Sequence, residues 1–122
     1  MQGSCACGAI TFAVNDVPLG ASCCHCSQCR KMSGHVWSSA YVQASALAIA
    51  GPVKWVALTE VAHRGICPDC GAFLFWKAHE EDTMSFALGA IDGPTGLALE
   101  KHIFTATKGD YYTLCDGLPQ KD

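Results

Sequence analysis

The chain has 122 residues, of which 50% are hydrophobic, 16% are charged and nine are cysteine. A chain of this length buries roughly 60–70% of the surface it exposes when unfolded, so a core forms without cross-links and the cysteines need another explanation. A formal net charge of −3 lacks the basic face of an electrostatic nucleic-acid binder, and a mean hydropathy of +0.20 excludes a disordered polyelectrolyte.

Residues 1–7 hold no basic cluster followed by an apolar run, so no secretory leader is read there. A reducing, cytoplasmic setting without lasting disulfides is therefore expected. Residues 9–14 form the first β-prone run, and residues 27–32 fit one or two helical turns with Ser27 as the cap. Residues 32–53 contain no Lys, Arg, Asp or Glu. Serines, Gln43, Gly51 and Pro52 interrupt that stretch, whereas a membrane span needs about 20 predominantly apolar residues. It reads as a buried strand over residues 36–42 instead.

Further β-prone runs follow at residues 53–58, 72–76, 84–88 and 102–105. Turn signals such as Gly51-Pro52, Pro68-Asp69, Asp92-Gly93-Pro94 and Lys108-Gly109-Asp110 separate them. With no long 3.6-residue period, no linker and no repeat, the expectation is one mainly β domain over residues 1–122. It would be built from short antiparallel strands and hairpins, with little helix. Trp37, Trp55 and Trp76 fall in these strands and read as core.

The cysteines fall into two groups. Cys5-x-Cys7 and Cys67-x-x-Cys70 are each followed by Gly and Ala, then by a β-prone run. Two close pairs on tight turns supply the four soft ligands of a closed, structural zinc site, and the glycine permits a left-handed backbone beside the sulfurs. Two disulfides or four buried thiols are the competing reading. Cys24, Cys26 and Cys29 offer three thiols within six positions. Three ligands with an open fourth position is the arrangement of a catalytic zinc, against a redox-active thiol group as the alternative. His25 lies between two of them, and its ring is expected to point away from the atom they share. Cys23 and Cys115 fit neither group and read as buried small hydrophobes, with Cys23 near enough to exchange with the triple cluster.

Arg30 and Lys31 directly follow Cys29 and are placed to hold an anionic substrate beside a thiolate-rich zinc, unless they form a solvated turn. Ser33 is a candidate proton carrier. His35 reads mainly as a packed strand histidine, His102 as an exposed strand start or proton carrier, and residues 80–82 (Glu80, Glu81, Asp82) as a solvated loop.

Taken together, Gly3-Ser4-Cys5-x-Cys7-Gly8, Cys24-His25-Cys26-Ser27-x-Cys29-Arg30-Lys31-x-Ser33-Gly34 and Arg64-x-x-Cys67-x-x-Cys70-Gly71 resemble the glutathione-dependent formaldehyde-activating enzymes. So do Asp92-x-Pro94, His102-Ile103-Phe104 and Asp116-x-Leu118-Pro119. The resemblance implies a zinc-stabilised fold of the β-tent type with two zinc ions per chain. Cys5, Cys7, Cys67 and Cys70 would hold the structural ion, and Cys24, Cys26 and Cys29 the substrate-facing one. It implies a carbon–sulfur lyase or synthase that joins an aldehyde, formaldehyde in the family's name, to a small thiol such as glutathione. Substrate carboxylates would rest on Arg30 and Lys31, with Ser33 or His102 moving the proton. No nucleic acid or membrane partner is expected. A non-catalytic zinc-stabilised binding module and a thiol redox or metal-buffering protein are the alternatives.

Overall fold

The computed structural model describes all residues, 1–122. Ten strands and one α-helix follow in order: β1 (Gln2–Ser4), β2 (Thr11–Val14), β3 (Gly20–Cys24), α1 (Ser27–Ser33), β4 (Trp37–Gln43) and β5 (Leu47–Ala50). Then come β6 (Lys54–Val56), β7 (Ala62–Ile66), β8 (Phe73–Ala78), β9 (Thr83–Ala87) and β10 (Lys101–Ile103). The molecule is mainly β with little helix, as its composition predicts. Each expected run contains a strand, shifted by a residue or two at the ends. Strands β1, β3, β5 and β7 carry no such signal, because Gly3, Gly20 and Gly65 and the short Ala-rich β5 dilute β propensity that pairing restores.

The strands form two sheets. The smaller has the order β1-β2-β5, and the larger has β10-β3-β4-β9-β8-β7-β6. Pairing is antiparallel except at one edge, where β10 runs parallel to β3; the all-antiparallel expectation fails there because the chain reaches β10 through a long connection rather than a hairpin. The core draws from both sheets: Phe12, Val14 and Leu47 from one, and Ala21, Ala40, Val42, Phe75 and Phe86 from the other. Phe12 meets Phe75 edge-on with ring centroids 5.1 Å apart, a geometry that sets ring edge against ring face.

Helix α1 is capped differently from the expectation. Ser27 is its first helical residue, and the Cys26 sulfur accepts a hydrogen bond from the Cys29 backbone N–H at 3.4 Å. The helix ends at Gly34 in the left-handed region, φ 85°. Trp37 is buried as expected, but Trp55 is 40% exposed on β6 at the sheet edge, where no further strand covers it. Glu80, Glu81 and Asp82 form an exposed loop. No helix is long and apolar enough to cross a membrane.

Candidate metal centres and the cavity beside them

The two cysteine pairs are the loops of two hairpins. Cys5 to Gly8 joins the antiparallel strands β1 and β2, and Cys67 to Gly71 joins β7 and β8. In the longer turn the Gly71 N–H donates to the Cys67 carbonyl at 2.9 Å; in the shorter one the Gly8 N–H donates to the Cys5 carbonyl at 3.1 Å. Gly8 and Gly71 adopt nearly the same left-handed φ, 80° and 79°, which a residue with a Cβ strongly disfavours. The Cys5 and Cys7 sulfurs are 3.6 Å apart, those of Cys7 and Cys67 3.7 Å, and all four lie within 4.8 Å of one another. Zinc–sulfur bonds of about 2.3 Å in a tetrahedron put sulfurs about 3.8 Å apart, so the four thiols fit that ion. The N–H groups of Ala72 and Cys7 draw the Cys70 thiol down to about 6, which readies one thiolate. Cys5 and Cys67 sit in the main core, with Cys67 0% exposed, and Cys7 and Cys70 are exposed.

Cys24 at the end of β3, Cys26 at the helix cap and Cys29 in the first turns of α1 bring three sulfurs within 4.8 Å. The neighbouring Cys29 side chain lowers the Cys24 thiol to about 6, against the opposing effect of burial, and Cys24 in turn pushes Cys29 up. Three cysteine sulfurs, once deprotonated, are a donor set that suits a soft cation. These three cysteines line a cavity of about 600 Å³. They stand in an apolar cluster separate from the main core, with Trp37, Phe73 and Ala87.

The cavity floor is one face of the large sheet. Ser22 faces Ser39 across β3 and β4, Tyr41 faces Ser85 across β4 and β9, and Arg64 faces Trp76 across β7 and β8; all six line the cavity. Lys101 and Ile103 extend the floor onto β10. Because side chains alternate between faces, Cys23 and His102, paired across β3 and β10, fall on the opposite side. Cys23 is therefore buried but turned away from the triple cluster that its position in the sequence suggested it could join.

His25 follows the expected orientation. Its Nε2 lies 2.9 Å from His102 Nδ1, and its Nδ1 is hydrogen-bonded to the Tyr112 hydroxyl. His102 is 4% exposed, not an exposed strand start, and its Nε2 lies 2.8 Å from an Asp116 carboxylate oxygen. Burial, then His102, lowers the His25 pKa, and the Leu118 N–H followed by His102 lowers that of Asp116. With His25 neutral and Asp116 an acceptor only, the order Tyr112 to His25 to His102 to Asp116 gives each donor one acceptor. Cys23 lies beside this chain, within 4.8 Å of both histidine nitrogens. It ties the C-terminal segment to β3 and β10, and none of it was read as a unit from the sequence, since its members are up to 91 positions apart in the chain (25 to 116).

The other expected residues do not gather at the cavity. Arg30 is half-buried and Lys31 exposed, and neither lines it; the helix turns about 100° per residue and carries them away from Cys29. Ser33 accepts from the His35 N–H at 3.1 Å and lines a second cavity of about 560 Å³, which Trp37 also lines and which holds no acid or base. His35 is exposed in the turn before β4, 3.1 Å from the Tyr111 hydroxyl, and Cys115 is exposed. The cations that do line the main cavity are Lys101 and Arg64. Arg64 is 3% exposed, and its Nη2 donates to the Gln28 side-chain oxygen at 2.9 Å. Its strand sequence, Ala-His-Arg-Gly-Ile, holds a single arginine three residues before Cys67, the one signal that pointed to it.

No curated protein sequence matches the chain. The fold is similar to that in a crystal structure of a Rhodobacter sphaeroides protein determined as a structural-genomics target, with a TM-score of 0.65 and 22% identity. That similarity covers 79% of this chain and 92% of the other. The sequence model described as glutathione-dependent formaldehyde-activating enzyme matches residues 1–107. It therefore takes in all seven clustered cysteines and ends before Tyr112 and Asp116. On that match, and with its cysteines brought into one cluster of four and one of three, the chain belongs to the glutathione-dependent formaldehyde-activating enzyme family.

Proposed function

We propose that the protein is a two-zinc carbon–sulfur lyase or synthase, acting at the three-cysteine site on the adduct of an aldehyde and a small thiol, as in the formation of S-hydroxymethylglutathione. The observation that carries this reading is the contrast in surroundings: three converging thiols open on a cavity of about 600 Å³, of the size that takes small molecules. Cys5, Cys7, Cys67 and Cys70 hold the structural ion, and Cys24, Cys26 and Cys29 hold the second. When bound there, zinc supplies a Lewis-acid position that favours the thiolate form of a fourth sulfur ligand.

The reaction forms one bond between the thiol sulfur and the aldehyde carbon, and the thiol proton ends on the aldehyde oxygen. Trp37 and Trp76 wall the cavity and limit water around the reacting atoms. Ser22, Ser39, Ser85, Tyr41 and Thr83 are the hydroxyl residues lining the cavity, in place to pass the proton; Ser33 and His102 face elsewhere. The domain spans residues 1–122 and works in a reducing, cytoplasmic setting with a thiol and an aldehyde as its partners.

The test is exchange spectroscopy on the zinc-loaded protein with glutathione and formaldehyde. Adduct formation faster than the spontaneous rate, lost in Cys26→Ser, supports the reading. A protein that binds glutathione without accelerating the reaction is a binding module. One whose Cys24, Cys26 and Cys29 cycle reversibly to disulfides at cytosolic potentials is a redox protein.

A further inference from the structure

Arg64 is a buried cation with two unmet donors. Its Nε and Nη1 are buried and have no hydrogen-bond partner, and only Nη2 is bonded, to the neutral Gln28 side chain. An unpaired buried guanidinium is costly, because it has lost water without gaining a counter-charge. No carboxylate is paired with it: the one acidic residue lining the same cavity, Glu81, lies in the exposed loop and forms no ion pair. Arg64 lines the same cavity as Cys24, Cys26 and Cys29. A planar fork of N–H donors matches a carboxylate's two oxygens.

We propose that Arg64 is the anion-recognition residue of this cavity, pairing with a carboxylate of the thiol substrate while the thiol occupies the open position beside Cys24, Cys26 and Cys29. This rests on the proposed function, and it narrows the substrate class to thiols that carry a carboxylate. It also moves substrate recognition from α1, where Arg30 and Lys31 stand, to β7. A carboxylate on either edge of the guanidinium meets one of the unmet donors together with the free Nη2 N–H, so a thiol without a carboxylate leaves that donor unmet and binds more weakly.

Calorimetric titration of the zinc-loaded protein with glutathione and with its diethyl ester, in which both carboxylates are masked, tests the assignment. The wild type is expected to prefer the acid by about 10- to 100-fold, the range of a hydrogen-bonded charged pair. Arg64→Gln is expected to abolish that preference while keeping two zinc ions per chain and ester binding within about threefold. Should Arg64→Gln fail to fold, Arg64→Lys keeps the charge without the fork and is expected to reduce the preference at least about threefold.

Equal binding of acid and ester by the wild type overturns the Arg64 assignment and leaves the thiol reading standing. So does a preference that survives both Arg64 variants, or one lost in Lys101→Gln instead. Weakened zinc binding in Arg64→Gln with the preference intact makes Arg64 a counter-ion of the thiolates and overturns it too. If neither acid nor ester binds the wild type, the proposed function falls, and this assignment falls with it.

Discussion

The four-cysteine and three-cysteine clusters use the same element at similar local spacing, but the molecule embeds them differently. The first joins two hairpin loops 60 residues apart, Cys7 to Cys67, and buries Cys5 and Cys67 among the main-core residues. The second is local: all its cysteines lie within six positions, in a separate small cluster facing a cavity. A cross-link between distant segments restrains the fold, and a local one restrains little beyond its own turn. On the proposed two-zinc reading, the difference means that the three-cysteine site exchanges ligands freely while the four-cysteine site carries the stability.

That comparison breaks most plainly at Cys67. Cys67→Ser places a hydroxyl at a fully buried position and, on the proposed reading, removes a ligand of the structural zinc, so a loss of more than about 4 kcal/mol is expected. Thermal melts by circular dichroism and zinc content together check it; a variant that melts like the wild type denies the closed site its structural role.

Chelation sharpens the same contrast without a mutation. Of two zinc ions, one should leave quickly with the circular dichroism unchanged, and the other only as the protein unfolds. Release of both in one step would erase the distinction between the sites.

Cys26 caps the helix, and on the proposed reading it is also a ligand of the three-cysteine site. Cys26→Ser should release one zinc ion with little change in stability, because serine caps well. Cys26→Ala should be about 1 kcal/mol less stable than Cys26→Ser. Urea melts of the two variants measure that gap, and equal midpoints would deny the cap any weight.

The smallest effect is expected at Asp116. Its pKa is depressed in the folded protein, so its stabilising effect is fully present above the unfolded value of about 3.9 and is lost as pH falls through the lower, folded one. Asp116→Ala should melt slightly below the wild type at pH 6, and the gap should close as pH drops below about 4. Comparing the two proteins at each pH cancels any common loss of metal; a gap that persists in acid rules out the His102–Asp116 pair as its source.

The grouping of the cysteines was legible in the sequence, because their spacing and the glycines after Cys7 and Cys70 are local properties of tight turns. The mainly β class was legible for the same reason, through dense turn signals. Arg30 and Lys31 misled because nearness in the chain was taken for nearness in space, and a helix defeats that inference within one residue. Lys101 and His102 show the same limit in a strand: a single step moves a side chain through the sheet, so the first lines the cavity and the second joins His25 and Asp116 beneath it.

By itself, then, the sequence determined which cysteines form sets and that each hairpin turn needs a glycine, since those depend on bonds and dihedral angles within a few residues. Only the tertiary structure decided which face of the large sheet each residue meets, that Arg64 is buried with unmet donors, and that Tyr112 and Asp116 close a hydrogen-bonded chain through two histidines. Those outcomes depend on strand register and on partners dozens of residues away, and the alternating geometry of β strands turns each choice of register into a choice of side.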